Sequence, residues 1–279
     1  MLKRRLVPVL YLLDGWMVRS QQFSEHQFIG DPVLHVERMV DWDVDELIVL
    51  DIGRGEMTFQ HHRQDYRHKP VVTLLDFIER IAIECSIPLT FGGRIRSIED
   101  IRARIQHGAD KVAINAMLAD APELVTEAAR TFGSQAVVAS IDFRRIDGKP
   151  QVFLRHGSVD AGSALAQWAR RAEELGAGEI MLNAIDRDGM AQGYDLEAIN
   201  DVVAAVNIPV IVCGGAGHQR HFLDCFEKTE ASAVAAGNIF HFTENAYPRA
   251  KSFLGRNRKD IRVPRAPKRA DRRIAGARA

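Results

Sequence analysis

The sequence has little cysteine, no long apolar run and no net charge. Its three cysteines, Cys85, Cys213 and Cys225, have no metal-type spacing and no even count for a disulfide framework. They fit a reducing cytoplasm. Behind the basic start Met1-Leu2-Lys3-Arg4-Arg5 the apolar run is only about eight residues and contains Pro8, too short for a secretion signal or a membrane span. No metal and no cofactor is expected. The 37 basic and 37 acidic residues cancel, and no nucleic-acid partner is expected of the body. The charge is uneven, however. Residues 255–279 hold ten Lys/Arg against Asp260 and Asp271, a net +8, so the remainder carries −8. This Ala-, Pro- and Arg-rich end should be disordered past about residue 263, as a solvated tail or a weak dock onto the acidic body. Binding to an anionic surface or nucleic acid is the alternative there.

What is present is an ordinary globular composition, 46% hydrophobic and 27% charged over 279 residues. That is enough for one large domain, placed at 1–254, with 255–279 as the tail. Strand patterns fall at 6–12, 46–52, 87–91, 111–115, 136–142, 179–184, 209–213 and 233–237. Helical patterns lie between them, at 32–42, 71–85, 97–107, 121–131, 161–175, 195–206, 218–227 and 244–254. Asp31-Pro32 and Ser97 with Asp100 are helix starts, and Gly108 and Gly176 sit where helices end. Eight strands alternating with eight helices predict a (β/α)8 TIM barrel, with a doubly wound open sheet as the alternative.

The two halves repeat. Ile87-Pro88-Leu89-Thr90-Phe91-Gly92-Gly93 and Ile208-Pro209-Val210-Ile211-Val212-Cys213-Gly214-Gly215 are apolar runs ending in paired glycines. Each is followed by a small-residue strand, ending at Asn115 and at Gly237-Asn238. A glycine turn before a helix lets backbone amides approach an anion. The candidate phosphate-binding residues are therefore Gly92, Gly93, Asn115, Gly214, Gly215, Gly237 and Asn238, for a ligand with a phosphate at each end or for two phosphates. Barrel chemistry belongs at the C-terminal ends of strands. Asp142 ends strand five and is the candidate acid or base. Asp186-Arg187-Asp188-Gly189 ends strand six, to orient a polar substrate or to pair internally. Arg5, Glu46, Lys111 and Glu179 converge at the opposite rim, where an ordinary salt-bridge ring is one explanation. The polar stretch 53–70, with His61, His62 and His68, is a solvated loop, a lid or a partner contact.

Several of these pieces resemble the HisF family, the cyclase subunit of imidazole glycerol phosphate synthase. They include Gly30-Asp31-Pro32, Asp45-Glu46-Leu47-Ile48-Val49-Leu50-Asp51-Ile52, Gly108-Ala109-Asp110-Lys111-Val112, Asp186-Arg187-Asp188-Gly189 and Phe240-His241-Phe242. The resemblance implies a TIM barrel with two phosphate sites and a HisH-like glutaminase docked beneath it as a heterodimer. It also implies an ammonia gate made by Arg5, Glu46, Lys111 and Glu179. The mouth departs from the family pattern. The first catalytic aspartate is Tyr11, a lysine is Arg19, the third glycine of a triplet is Arg94, a threonine is Asn183 and a serine is Cys213. The second catalytic aspartate remains as Asp142. Arg19, Asn183 and Asp188 are the expected substrate-orienting residues. A phenol with an ordinary pKa near 10 is a poor replacement for a carboxylate.

The pattern of a kept gate and a changed acid/base pair resembles a HisF branch that accompanies sugar amidotransferases in surface-polysaccharide synthesis. The expectation is an ammonia-relaying subunit for sugar amidation. The alternatives are a true cyclase of histidine biosynthesis and a non-catalytic phosphate-binding scaffold.

Overall fold

The computed structural model describes residues 3–54, 71–84 and 87–262. Eight strands close into a parallel barrel: β1 (Arg5–Leu13), β4 (Leu47–Asp51), β5 (Leu89–Gly92), β6 (Lys111–Ile114), β7 (Val137–Ile146), β10 (Glu179–Ala184), β11 (Val210–Cys213) and β12 (Ala233–Ala236). Closure is direct, with Arg5 opposite Ala233 and Leu6 opposite Val234. The open-sheet alternative is thereby excluded. Helices α1 (Pro32–Asp41), α2 (Leu74–Glu84), α3 (Ile98–Gln106), α4 (Met117–Asp120), α5 (Pro122–Phe132), α6 (Leu165–Glu174), α7 (Leu196–Val203), α8 (Gln219–Lys228) and α9 (Ala246–Asn257) surround it.

The helix starts follow the sequence chemistry. Asp31 Oδ1 accepts from Val33 N at 2.8 Å, with Pro32 at the first helical position. Ser97 and Asp100 form a reciprocal capping box. Along β1 the side chains alternate. Leu6, Leu10 and Leu12 pack outward under the helices, while Val7, Val9 and Tyr11 face the barrel interior with Ile48, Val138, Met181 and Ile211.

Four strands were not anticipated. Hairpin β2 (Trp16–Gln21) and β3 (Glu25–Gly30) folds back on β1, and β8 (Lys149–Leu154) and β9 (Val159–Ala164) fold back on β7. The helix expected from residue 161 therefore begins only at Leu165. Each insertion turns on an Asp-Gly pair. Asp14-Gly15 joins β1 to β2 with φ of 51° and 88°, and Asp147-Gly148 joins β7 to β8 with φ of 49° and 78°. Paired positive φ values make the hairpin turn whose twist matches the flanking strands, and Asp-Gly favours it. The half-barrel repeat thus extends to its insertions.

The last helix runs past the expected boundary at 254, to Asn257. Beyond it Arg262 N donates to Arg4 O at 3.0 Å. The tail expected past about 263, and loop residues 55–70 with their histidines, lie outside the described residues. The end of the chain is tied to the start through Asp45. Its carboxylate accepts from Leu6 N at 2.9 Å and pairs with buried Lys251, while Tyr247 Oη accepts from Asp45 N and donates to Leu6 O, each at 2.9 Å. Lys251 and Asp45 are both only 3% exposed. Removing one member of such a pair strands a buried charge, so Lys251→Ala should destabilise the fold by about 3–5 kcal/mol. Urea unfolding of the variant measures this, and a loss below about 1 kcal/mol would contradict it.

Candidate active site

At the N-terminal floor of the barrel four charges make a closed ring. Arg5 pairs with both Glu46 and Glu179, and Lys111 Nζ lies 2.9 Å from Glu46 and 2.8 Å from Glu179. Thr90 Oγ1 adds a donor to Glu46 at 3.2 Å. The ring has two charges of each sign, and every member contacts two of opposite sign. Burial alone would raise the Glu46 pKa, but the Arg5 and Lys111 cations outweigh it and hold the carboxyl below its ordinary range. Burial would likewise lower Lys111, and the two glutamates raise it instead. All four gate residues expected from the sequence are therefore brought together.

Above the ring the interior is apolar and packed with Val7, Val9, Ile48, Ala113, Val138, Met181, Ile211, Ala233 and Ala235. At the C-terminal mouth it turns polar again. Tyr11, Asp142, Asn183 and Cys213 stand on β1, β7, β10 and β11, with Asn183 paired in register with both Asp142 and Cys213. Tyr11 Oη lies 3.8 Å from Cys213 Sγ. Burial, then the neighbouring Cys213 and Asp188, push the phenol well above its usual value, so it stays protonated. Burial and the Asp188 charge raise Asp142 to about 7, against a hydrogen bond from Asn115 Nδ2 at 3.0 Å. Burial raises Asp188 to about 6, against the Ser20 hydroxyl and the Phe23 backbone N–H.

The glycines of the two half-barrels have close-packing reasons as well as a candidate ligand role. A Cβ on Gly93, at φ +97°, would sit 2.1 Å from Asp51 O, and one on Gly215, at φ +108°, 2.2 Å from Gly193 O. The halves differ in what surrounds them. In the first half Asn115, an expected phosphate ligand, donates through Nδ2 to Asp142 at 3.0 Å and to Ser140 O at 2.9 Å. Arg94, at φ 53°, turns its guanidinium onto buried Asp51 and lies 3.8 Å from Asp14. In the second half Asn183 Oδ1, Asp188 Oδ2 and Asn238 Oδ1 are buried without hydrogen-bond partners. Buried acceptors of this kind are normally satisfied, by a protein group, by water or by a bound molecule.

The third expected orienting residue, Arg19, lies apart from this group. It is on β2 with its guanidinium 5.6 Å from the exposed Phe242 ring. Residues of the same hairpin that were not singled out reach the mouth. Ser20 O accepts from Asn238 Nδ2 at 2.8 Å, and Gln22 N donates to Asp188 O at 3.0 Å. Their signal was the Asp14-Gly15 turn.

A family model described as histidine biosynthesis protein matches residues 5–246. Imidazole glycerol phosphate synthase subunit HisF of Alkaliphilus metalliredigens is 41% identical over 255 residues, 91% of this chain and 96% of that protein. The chain belongs to the HisF family of histidine biosynthesis proteins. The HisF subunit of Hydrogenobaculum sp. is 38% identical over 264 residues, 94% of this chain and 100% of that protein. That of Metallosphaera sedula is 41% identical over 241 residues, 86% and 91% of the two chains. Among the described residues of this HisF-family chain no helix is long and apolar enough to cross a membrane, and no group of three or more His, Cys, Asp or Glu side chains could hold a metal.

The raised native pKa of Asp142 has a consequence for stability. In the unfolded chain an aspartate titrates near 4. The folded state therefore holds this proton more tightly, and the stability it contributes below pH 4 is lost as pH rises through about 7. Three pKa units correspond to an upper bound of about 4 kcal/mol. Asp142→Asn should flatten the fall in melting temperature between pH 5 and 8 and leave the variant more stable than the parent at pH 8. Parallel melting curves at both pH values would contradict the assignment.

Proposed function

We propose that this chain is the ammonia-using cyclase subunit of an imidazole glycerol phosphate synthase, working as a heterodimer with a HisH-like glutaminase beneath the barrel floor. One observation carries the reading. The neutral charged ring and the polar mouth around Asp142, Asn183 and Asp188 stand at opposite ends of one barrel axis. Ammonia released below the floor would pass along the axis between apolar side chains such as Val7, Ala113 and Ala235. Lys111, with its side chain 20% exposed, is the ring member freest to swing aside while Arg5 keeps both glutamates. At the mouth a phosphorylated substrate lies across the two half-barrels. One phosphate sits on the turns at Gly214, Gly215, Gly237 and Asn238. The other sits at Gly92 and Gly93 beside Arg94. Asn183 and Asp188 orient the substrate between them, with Arg19 at the rim. Asp142, raised to about 7, can both give and take a proton at neutral pH.

The relatives described above are subunits of this synthase, and the glycosyl-amidation expectation finds no support among them. Tyr11 is the specific observation that favours a second reading. In it the barrel relays ammonia and leaves the chemistry to another enzyme, such as a sugar amidotransferase.

Complementation of a strain lacking the histidine-pathway cyclase separates the two. The unaltered chain should restore growth without histidine. Failure of soluble, expressed protein would turn the assignment to the relay. With a glutaminase partner present, Lys111→Ala should lower glutamine-driven product at least tenfold relative to ammonium-driven product. Equal losses in both assays would remove the channel from the reading.

A further inference from the structure

We propose that Asp188 is the second carboxylate of an acid/base pair with Asp142, supplying from the loop after β10 the group that Tyr11 does not supply from β1. The inference rests on the cyclase reading above and goes beyond the orienting role given there to Asp188.

Four geometric facts single out Asp188. It is 5% exposed, with the Ser20 hydroxyl and the Phe23 backbone N–H beside its carboxylate and its Oδ2 buried. Other carboxylates near the mouth are engaged. Asp51 is bound to Arg94 and accepts from Gly53 N at 2.9 Å, and Asp195 is clamped by Arg145; Asp186 also keeps one buried oxygen unpartnered, but its Oδ2 accepts from Arg145 N at 3.2 Å and it is not among the charges that raise Asp142. Asp14 faces solvent beside Arg94. The strand carrying Asp142 is the neighbour of the strand that leads into Asp188, with Asn183 opposite Asp142. The loop is also fixed over the mouth. Gln22 N holds Asp188 O at 3.0 Å, and a Cβ on the next residue, Gly189, would lie 2.6 Å from Ser20 O and 3.1 Å from Asn238 Nδ2.

Titratable and polar groups facing the pair come from each packed strand: Tyr11 on β1, Cys213 on β11 and Asn115 just after β6. Tyr11 and Cys213 are both raised by burial and stay neutral near pH 7, so neither can act as the base. The charge on Asp188 raises Asp142, and burial raises both, so near neutral pH one can be ionised while the other is protonated. As the bond from ammonia nitrogen to the substrate carbon forms, the ionised carboxylate takes the proton that the nitrogen sheds. The protonated carboxyl gives its proton to the group that departs with its bonding electrons. The pair ends with the charge it began with, and its members exchange states.

The test uses the full chain and ammonium-driven formation of imidazole glycerol phosphate. Asp188→Asn should lower kcat by roughly 100-fold or more, the usual size of an acid/base contribution, with KM changing by less than about threefold. Asp188→Glu should retain part of the rate. The pH–rate profile of Asp188→Asn should lose one limb. In a Tyr11→Asp background the same Asp188→Asn change should cost less than about tenfold, because a carboxylate is back on β1. A loss confined to KM with an unchanged pH profile, or equal losses in both backgrounds, overturns the pair. Carbon-13 titration of the aspartate carboxyls gives a readout without turnover. Asp188→Asn should move the Asp142 midpoint down from about 7, and an unmoved midpoint also overturns the pair. No ammonium-driven product from the unaltered chain at any pH from 5 to 9 is a separate failure. It is seen before any substitution, and it removes the cyclase reading and the pair with it.

Discussion

Four charges under an apolar barrel can persist only as a set. Arg5, Glu46, Lys111 and Glu179 sit below a tier of valine, isoleucine, methionine and alanine side chains, where an isolated ion is several kcal/mol less stable than in water. Each carboxylate bridges both cations, so the ring is neutral and no member is left single. Its geometry requires the starts of β1, β6 and β10, and the residue just before β4, to arrive at one level. That condition fixes the stagger of the whole sheet. On β1 it also fixes what lies above, because inward positions recur every second residue: Arg5 at the floor, Val7 and Val9 in the apolar tier, Tyr11 at the mouth.

The two ends of the axis obey opposite rules. At the floor nearly every polar atom is matched by another within the chain. At the mouth Asn183, Asp188 and Asn238 keep buried oxygens unmatched, and Asp142 is held near the ordinary pH of the cell by burial and a neighbouring like charge. Buried polar oxygens of this kind need donors from outside the chain, from water or from a bound molecule.

The eight barrel strands and their order were legible because each core strand is a short apolar run followed by a helix of clear period and cap. The charged ring was legible as well, since four charges at strand starts have few other places to go. What escaped was the antiparallel material. Glu25-His26-Gln27-Phe28-Ile29-Gly30 is exposed or half-buried, so no hydrophobic alternation betrays β3. Val159–Ala164 likewise packs one side lightly and merges into the helical pattern that follows. The informative residues were the turns, Asp14-Gly15 and Asp147-Gly148, whose left-handed backbone makes a hairpin at each place. Within the mouth, residue types pointed to positions at the C-terminal strand ends but not to their partners. Asn115 was legible as a mouth residue, yet its engagement with Asp142 depends on the contact between β6 and β7, which spacing along the chain does not encode.

Closure of β12 on β1 bears on how the chain reaches this state. Tyr247 bonds to Leu6 across 241 residues of sequence, and Arg5 finds Ala233 only when the eighth strand exists. During synthesis β1 waits with one edge unpaired until almost the entire chain has left the ribosome. Contacts of such separation are slow to form, and an open parallel edge invites association with a second nascent chain. The hairpins at β1 and β7 are local by contrast and close with two-residue turns. They can form within microseconds of emergence and give the first strand of each half an early partner while the sheet is still open.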